Sequence, residues 1–271
     1  MDRSLLSRPE VVAASRQFVC VRLLSYEDAQ EMQLVKSWWT GRSGEVENTT
    51  VSILTPDGKR NLLPFHRSFK HYYRSSSEMA AGLTRIAKQQ GAAATTVNTV
   101  LPLPRVIDVR RALNVAAGDQ QPLVVVWASD AAERQRLEKL TATQTWSEAF
   151  IGRFIYVTAT KAEEVRGLQG KVQEPTVLVV QPDEFGQSGK VIAQVSGQEI
   201  SAEQIAATLQ ASLPKATFAA KDQRSHQRAG TQKGMFWETE TPVTDPMERG
   251  ARERTKRMQD QLRNQSGRKN P

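Results

Sequence analysis

Residues 122–140 read PLVVVWASDAAERQRLEKL, and this stretch decides the fold. Its first seven residues, Pro122–Ala128, form a continuous apolar run with three consecutive valines, which is typical of a strand buried on both faces. Ser129 or Asp130 then caps a helix. A buried strand followed at once by a helix begins a βα unit, and this predicts an α/β protein.

The same kind of pattern continues toward the C-terminus. Apolar and β-branched runs predict strands, amphipathic runs with polar caps predict helices, and prolines and glycines mark the turns between them. In chain order these are a strand at 153–158, a helix at 162–168, a strand at 177–180, a strand at 190–195 and a helix at 203–213. Ser201 and Gln204 form a capping box at the start of the last helix.

This order of elements resembles the thioredoxin family over residues 119–214, which we assign as one thioredoxin-like domain. The residues that carry the resemblance are Trp127-Ala128-Ser129 after the first strand, Glu174-Pro175-Thr176 before the third, and Gly186 and Gly189 in the turn before the fourth. In that family a cis proline begins the third strand beside the redox dithiol. The resemblance therefore implies a structural cis proline at Pro175.

The N-terminal part, residues 1–92, is similar to a second, truncated copy of the same domain. Pro9–Val12 followed by Phe18–Val21 matches the run after the active helix of thioredoxin-like proteins, and Pro56–Lys59 matches the turn of the central hairpin. The predicted elements are a short helix from Pro9, a buried strand at 17–24, a helix at 27–39, a hairpin within 48–63 and a helix at 78–90.

This first copy departs from the family pattern in two ways. The opening strand and its CxxC dithiol are missing, and Asn48 or Thr49 stands where the cis proline is expected. Residues 93–118 are rich in small residues and hold two prolines, so they predict a linker between the copies. The sequence thus predicts an α/β fold with tandem thioredoxin-like domains, the first of them truncated.

The C-terminal segment, residues 215–271, differs in composition from the rest of the chain. It carries 13 Lys and Arg against 7 Asp and Glu, so it accounts for +6 of the net charge of +8. It has few large apolar residues and cannot bury enough surface to offset its chain entropy. The sequence predicts a disordered basic tail with one candidate helix at 246–262.

The chain holds one cysteine, Cys20, and three histidines, His66, His71 and His226. One cysteine cannot form a dithiol, an intramolecular disulfide or a cysteine-rich zinc site, so ordinary thioredoxin chemistry is excluded and no cofactor or metal is expected. Cys20 lies in a predicted apolar strand, where burial would make the thiol inert. Its alternative role is that of a reactive thiol, the only catalytic candidate in the sequence.

Three aromatic residues are candidates for contacts with a partner. Trp39 fits the apolar face of its predicted helix, so Trp38 points elsewhere, and Phe236 and Trp237 are large aromatics in an otherwise polar tail. Residues 64–74 interleave aromatic and basic side chains. Such a cluster either packs its rings on the hairpin with its cations in water or grips a nucleic-acid strand.

Together these patterns favour a redox-inactive, thioredoxin-like scaffold that binds another protein and is not an enzyme. Two alternatives stay open: an exported thiol–disulfide protein whose N-terminal CxxC segment is missing from this chain, and a nucleic-acid-associated protein that uses the basic tail. Met1–Glu10 lacks the apolar core of an export signal, and no apolar run reaches about 18 residues. The chain as it stands therefore predicts a cytoplasmic protein without an integral membrane segment.

Overall fold

The computed structural model describes residues 5–6, 8–23, 25, 28–41, 44, 46, 50–91, 101–219, 222–235 and 246–267. The chain divides into two compact units. The first, which we call the hairpin unit, comprises Met1–Thr96 together with Trp237–Pro271. The second, which we call the sheet unit, comprises Val97–Phe236.

The hairpin unit places helices around one antiparallel hairpin. Its N-terminal elements are α1 (Pro9–Ser15), α2 (Ala29–Trp38), β1 (Val51–Leu54), β2 (Asn61–His66) and α3 (Ser76–Gln89). Its core is formed by the buried residues Leu5, Val11, Ala14, Ile53, Tyr73, Met79 and Leu83. The predicted helices are therefore confirmed to within two residues of their bounds. The predicted hairpin is confirmed as well, but its second strand continues to His66, three residues beyond the predicted end.

The predicted buried strand at 17–24 is wrong. In the described part of that stretch, residues 17–23, no strand forms. Val19 is 77% exposed, Val21 is 70% exposed, and Cys20 between them is exposed as well. β-branched residues favour a strand only where a neighbouring strand accepts their backbone hydrogen bonds, and here β1 and β2 pair with each other alone.

The sheet unit consists mainly of one mixed six-stranded sheet and the four helices that pack against it. They are β3 (Arg105–Val106), α4 (Val109–Asp119), β4 (Leu123–Trp127), α5 (Ala131–Thr145), β5 (Ile155–Ala159), α6 (Ala162–Arg166), β6 (Leu168–Gln169), β7 (Thr176–Pro182), β8 (Gly189–Ser196) and α7 (Ala202–Ser212). The strand order is β3-β5-β4-β7-β8-β6. β3, β5 and β4 run parallel, β7 is antiparallel to both β4 and β8, and β6 is parallel to β8.

Helices cover both faces of this sheet, so the unit has three layers. On one face, α5 and α7 contribute Leu137, Ile205 and Leu209 to the core. On the other face, α4 and α6 contribute Leu113 and Val165. β4 is buried at all of its five residues because it lies between the two helical layers. The α/β class predicted from residues 122–140 is confirmed.

Residues 105–118, which the sequence places in a linker, belong to the sheet unit. β3 pairs with β5 at the edge of the sheet, and α4 packs against the sheet. The buried residues of α4 are Val109, Ala112, Leu113, Val115, Ala116 and Ala117. Five of these six are alanine or valine, and that composition suggests a connector although their helical spacing forms a buried face.

The C-terminal segment contains two helices, α8 (Gln223–Gln232) and α9 (Pro246–Gly267). α9 lies where the sequence predicts a helix, whereas α8 falls in a stretch for which the sequence predicts disorder. No helix in the described ranges combines the length and the apolar content needed to cross a bilayer.

Candidate functional site

The candidate site lies at the C-terminal end of β4, where the chain enters α5. Antiparallel pairing sets Trp127 of β4 opposite Thr176 of β7. The residues just beyond this pair, Ser129 on one side and Pro175 on the other, therefore face the same cleft. The peptide bond between Glu174 and Pro175 is cis, the isomer that the resemblance implies.

A polar network holds the entrance to α5. Asp130 is the N-cap, and its carboxylate accepts a hydrogen bond of 2.8 Å from the backbone N–H of Glu133. The backbone N–H of Ser129 donates to the carboxylate of Glu174, which lies across the cleft. This bond ties the β4–α5 junction to the segment that leads into β7.

Two arginine side chains of α5 donate hydrogen bonds to backbone carbonyl groups in the same region. Arg134 donates to the carbonyl oxygens of Ala128 at 2.9 Å and Ser129 at 3.2 Å. Arg136 forms a two-point ion pair with Glu133, with bonds of 2.7 and 2.6 Å, and also donates to the carbonyl of Ile200. The Arg136 guanidinium lowers the pKa of the Glu133 carboxyl, so this carboxylate stays ionised at neutral pH.

The other wall of the cleft is equally constrained. Pro175 is buried, and its carbonyl oxygen accepts a hydrogen bond of 3.1 Å from the N–H of Gly197. The Thr176 hydroxyl donates to the carbonyl of Val195 at 2.9 Å. The exposed side chain of Gln198 lies at the rim. Hydrogen bonds therefore hold the backbone on both sides of the cleft, and polar side chains lie along its two edges.

The cleft is lined by charged, polar and small side chains. Its volume is about 640 Å³, and it is lined by Ala128, Ser129, Asp130, Ala132, Glu133, Arg136, Glu174, Pro175 and Gln198. None of these side chains is a thiol. Ala132 contributes an exposed methyl group to the lining at the entrance of the cleft. Three carboxylates and the guanidinium of Arg136 line the cleft, and the guanidinium of Arg134 lies against the carbonyls of Ala128 and Ser129, so one net negative charge is left at the cleft. That charge favours a cationic ligand.

The other predicted site residues that the structure describes, Cys20 and Trp38, belong to the hairpin unit. Cys20 is exposed in the hairpin unit, where its Sγ lies 3.8 Å from the carbonyl oxygen of Ser15. Trp38 stacks on Phe65 with 6.0 Å between ring centroids. Phe236 and Trp237, like the candidate proline-equivalent positions Asn48 and Thr49, lie outside the described residues.

The aromatic and basic cluster at 64–74 packs mainly on its own unit. Tyr73 is buried in the core, and Phe69 and Tyr72 are partly buried against it. His66 and His71 stack with 3.5 Å between ring centroids and 12° between planes. Among the described residues, no group of three or more His, Cys, Asp or Glu side chains could hold a metal ion.

The sequence identifies residues on both sides of the cleft but not the hydrogen bonds that connect them. Ser129, Asp130 and Pro175 were identifiable as a helix cap region and a strand-entry proline. The bond from Ser129 to Glu174 spans 45 positions of the chain, and the bond from Arg136 to Ile200 spans 64. No local pattern encodes such pairs, because they arise only when the sheet brings the two segments together.

Comparison with known proteins finds no matching family model, no matching curated protein and no matching solved structure. What the protein does must therefore be inferred from its own residues and geometry. The order of elements in the sheet unit and the chemistry of the cleft are the two observations that carry this inference.

Proposed function

We propose that the sheet unit is a redox-inactive, thioredoxin-like domain that binds a segment of another protein in the cleft at Ser129 and Pro175. The observation that supports this proposal is the meeting of the β4–α5 junction with a cis proline at the start of β7. In the thioredoxin family this is the place of the redox dithiol. We propose further that the hairpin unit is the truncated copy of this domain, because it contains the α1 helix and the β1–β2 hairpin.

Thiol–disulfide exchange is ruled out at the cleft by composition. The reaction needs a thiolate to attack and, in the ordinary mechanism, a second cysteine to resolve the mixed disulfide. Residues 128–133 read ASDAAE, and the single cysteine of the chain is Cys20 in the hairpin unit. Without a thiol, the cleft is a negatively charged surface that is held by hydrogen bonds and has Ala132 in its lining. Such a surface can bind a ligand but has no group for thiol–disulfide exchange.

The expected ligand is an extended, cationic segment of another protein. Asp130 and Glu174 flank the cleft, whereas Arg136 is already engaged by Glu133. A lysine or arginine of the ligand would therefore meet carboxylates on both rims. The apolar residues Ala128 and Pro175 of the cleft would contact the ligand backbone and the aliphatic part of such side chains.

Blocking the cleft is expected to abolish binding of such peptides. We expect peptides selected against the wild-type chain from an unbiased library to be enriched in Lys and Arg. Ala132→Arg places a long cation in the mouth and should weaken their binding at least about 10-fold, because a mis-set charge at an interface costs more than 1.4 kcal/mol. Isothermal titration calorimetry with the selected peptides measures the change.

The matched control is Thr143→Arg, which places the same side chain at an exposed position of α5 far along the helix from the cleft. It should leave peptide affinity within about 2-fold of wild type. Equal loss in both variants, or selection of peptides without cationic residues, would contradict the proposed site. Turnover of insulin disulfides by the pure chain would contradict the proposed lack of redox activity.

A further inference from the structure

The two units follow the same order of elements except at one position. The sheet unit runs β4, α5, β5, α6, β7, β8 and α7, and the hairpin unit runs α1, residues 17–23, α2, β1, β2 and α3. Residues 17–23 therefore hold the place of β5, and the β1–β2 hairpin holds the place of β7 and β8. The helices agree as well, because α1 packs on α3 as α5 packs on α7. The described residues of the hairpin unit contain no strand in the place of β4.

In the sheet unit, β4 is the strand that joins β5 to β7. It runs parallel to β5 on one side and antiparallel to β7 on the other, and all five of its residues are buried. Its backbone therefore exchanges hydrogen bonds along both edges. Where such a strand has no counterpart, the elements on both sides of its place are left with an unpaired edge.

The first of these elements in the hairpin unit is the segment 17–23. Among the described residues, the backbone groups of Val19, Cys20 and Val21 make no hydrogen bond. Val19 and Val21 are exposed at 77% and 70%, although Phe18 beside them packs against the core of the unit. The segment is thus anchored at one end, and its β-branched residues favour a strand once a neighbouring strand accepts their backbone hydrogen bonds.

The second of these elements is β1. In the described part of the chain it pairs with β2 alone, so its other edge has no partner strand. A sheet of two strands is marginally stable by itself, and further strands with an apolar face stabilise it. Just before β1, the hydroxyl oxygen of Thr50 is buried and makes no hydrogen bond. A strand added along the open edge of β1 would bring backbone N–H groups to the end where this oxygen lies.

We propose that the hairpin unit binds an extended apolar segment of another protein between residues 17–23 and β1. The added strand would run parallel to residues 17–23 and antiparallel to β1, the two directions that β4 takes beside β5 and β7. Backbone hydrogen bonds along both edges supply the affinity of an added strand, and its alternate side chains supply the specificity.

The sheet unit indicates which side chains such a segment carries. β4 reads LVVVW, and it is apolar on both faces because helices cover both. In the hairpin unit, the added strand would lie beside the buried Ile53 of β1 and the exposed Val19 and Val21. A charged residue there would lose its hydration without gaining a partner. The expected ligand therefore has about five consecutive apolar residues, as β4 has, and no proline among them.

A second copy of this chain suits the open position poorly. Its strand β4 is already paired along both edges inside its own sheet. Its unpaired segment, residues 17–23, carries Arg22, and the charge of this residue would lie among apolar side chains. The source of the segment is therefore a different protein.

This inference rests on the proposed function in one respect, which is that the hairpin unit is a truncated copy of the domain. It does not depend on the ligand proposed for the Ser129–Pro175 cleft. Residues 17–23 and β1 belong to the hairpin unit, whereas the cleft belongs to the sheet unit. The two binding sites can therefore be tested separately.

A synthetic peptide with the sequence of residues 122–128, PLVVVWA, tests the proposal on the full chain. Two glutamates at each end keep the peptide soluble and disfavour its binding to the negatively charged cleft. Fluorescence anisotropy of the labelled peptide should give a Kd of about 1 to 100 µM, as for a small, transient interface. At about ten times this Kd, hydrogen–deuterium exchange should show about 10-fold higher protection of residues 17–23 and 51–54. Protection of α7 should not change.

Two controls isolate the pairing of the backbone. The peptide PLVPVWA lacks one backbone N–H and should bind at least about 10-fold more weakly. In the chain, Val21→Pro should cause the same loss, whereas Val21→Thr keeps the N–H and the β-branched shape and should bind within about 2-fold of wild type. Val21 is exposed, so neither substitution disturbs the core of the unit.

The variants also separate this inference from the function proposed for the cleft. Ala132→Arg should leave the affinity for the PLVVVWA peptide unchanged, and Val21→Pro should leave the affinity for cationic peptides unchanged. Equal binding of the two apolar peptides, or an equal Kd for Val21→Pro and wild type, would overturn the proposal.

Protection of residues 17–23 in the chain without peptide would overturn it as well, because the position would then be occupied already. Analytical ultracentrifugation identifies the occupant in that case. A dimer would assign the position to a second copy of the chain, and a monomer would assign it to another segment of the same chain.

Discussion

Truncating Leu178 to alanine is expected to lower the free energy of unfolding of the sheet unit by about 2–5 kcal/mol. Leu178 is fully buried in β7, which lies between β4 and β8 in the middle of the sheet. Its partner across the β4 pair is Val125, itself fully buried. Rigid strands on both sides prevent collapse into the cavity, so both the lost apolar contact and the void destabilise the fold.

Chemical denaturation followed by far-UV circular dichroism measures this loss at Leu178. The control is Ile151→Ala, because Ile151 is 50% exposed in the loop before β5. That substitution should cost less than about 1 kcal/mol, since a half-exposed side chain leaves no closed cavity. If the two substitutions cost the same, Leu178 would not lie in the centre of the core.

The sheet unit was largely predictable because its central strands, β4 and β7, are buried on both faces. A fully buried strand needs a continuous apolar run, and the run at 122–128 satisfies that need without reference to any other segment. Polar caps such as Asp130 and Ser201 then mark where helices begin, and both cap their helices in the structure. Local signals and global packing agree there, so local signals suffice.

Local signals failed where a segment's environment decides its structure. Residues 17–23 have the composition of a strand, but no strand in the described part of the chain pairs with them, and Val19 and Val21 are exposed. α8 is polar along most of its length, yet it packs against the apolar ring of Phe185, on which His226 stacks. In both cases the structure of the segment depends on residues that are distant in sequence. The hydrophobic periodicity of the segment itself does not reveal them.

The candidate cleft was predictable to the same extent. The proline at the start of a strand and the cap at the start of a helix are local features, and the resemblance to the thioredoxin family brought them to one place. The charge of the cleft was not predictable, because Glu174 and Glu133 reach it from separate elements. That charge is what the proposed preference for cationic peptides depends on.

Replacing Gly186 by alanine is expected to cost about 2–5 kcal/mol of stability in the sheet unit. Gly186 has φ of +66°, a left-handed conformation that an L side chain adopts at a cost of about 1–2 kcal/mol. The turn also lies directly on α4. A Cβ at this position would be 2.6 Å from Asn114 Cα and 2.8 Å from the carbonyl oxygen of Leu113.

Backbone atoms cannot move aside as a flexible side chain can, so either the turn or α4 must shift when Gly186 becomes alanine. Gly152→Ala separates this clash from the cost of the left-handed conformation, because Gly152 has φ of +72° and nothing within 4 Å of a built Cβ. The control should cost only about 1–2 kcal/mol. The excess in Gly186→Ala, measured by thermal and chemical denaturation, is then the energy of displacing α4 from the β7–β8 turn. Equal costs at the two glycines would show that α4 does not lie against the β7–β8 turn.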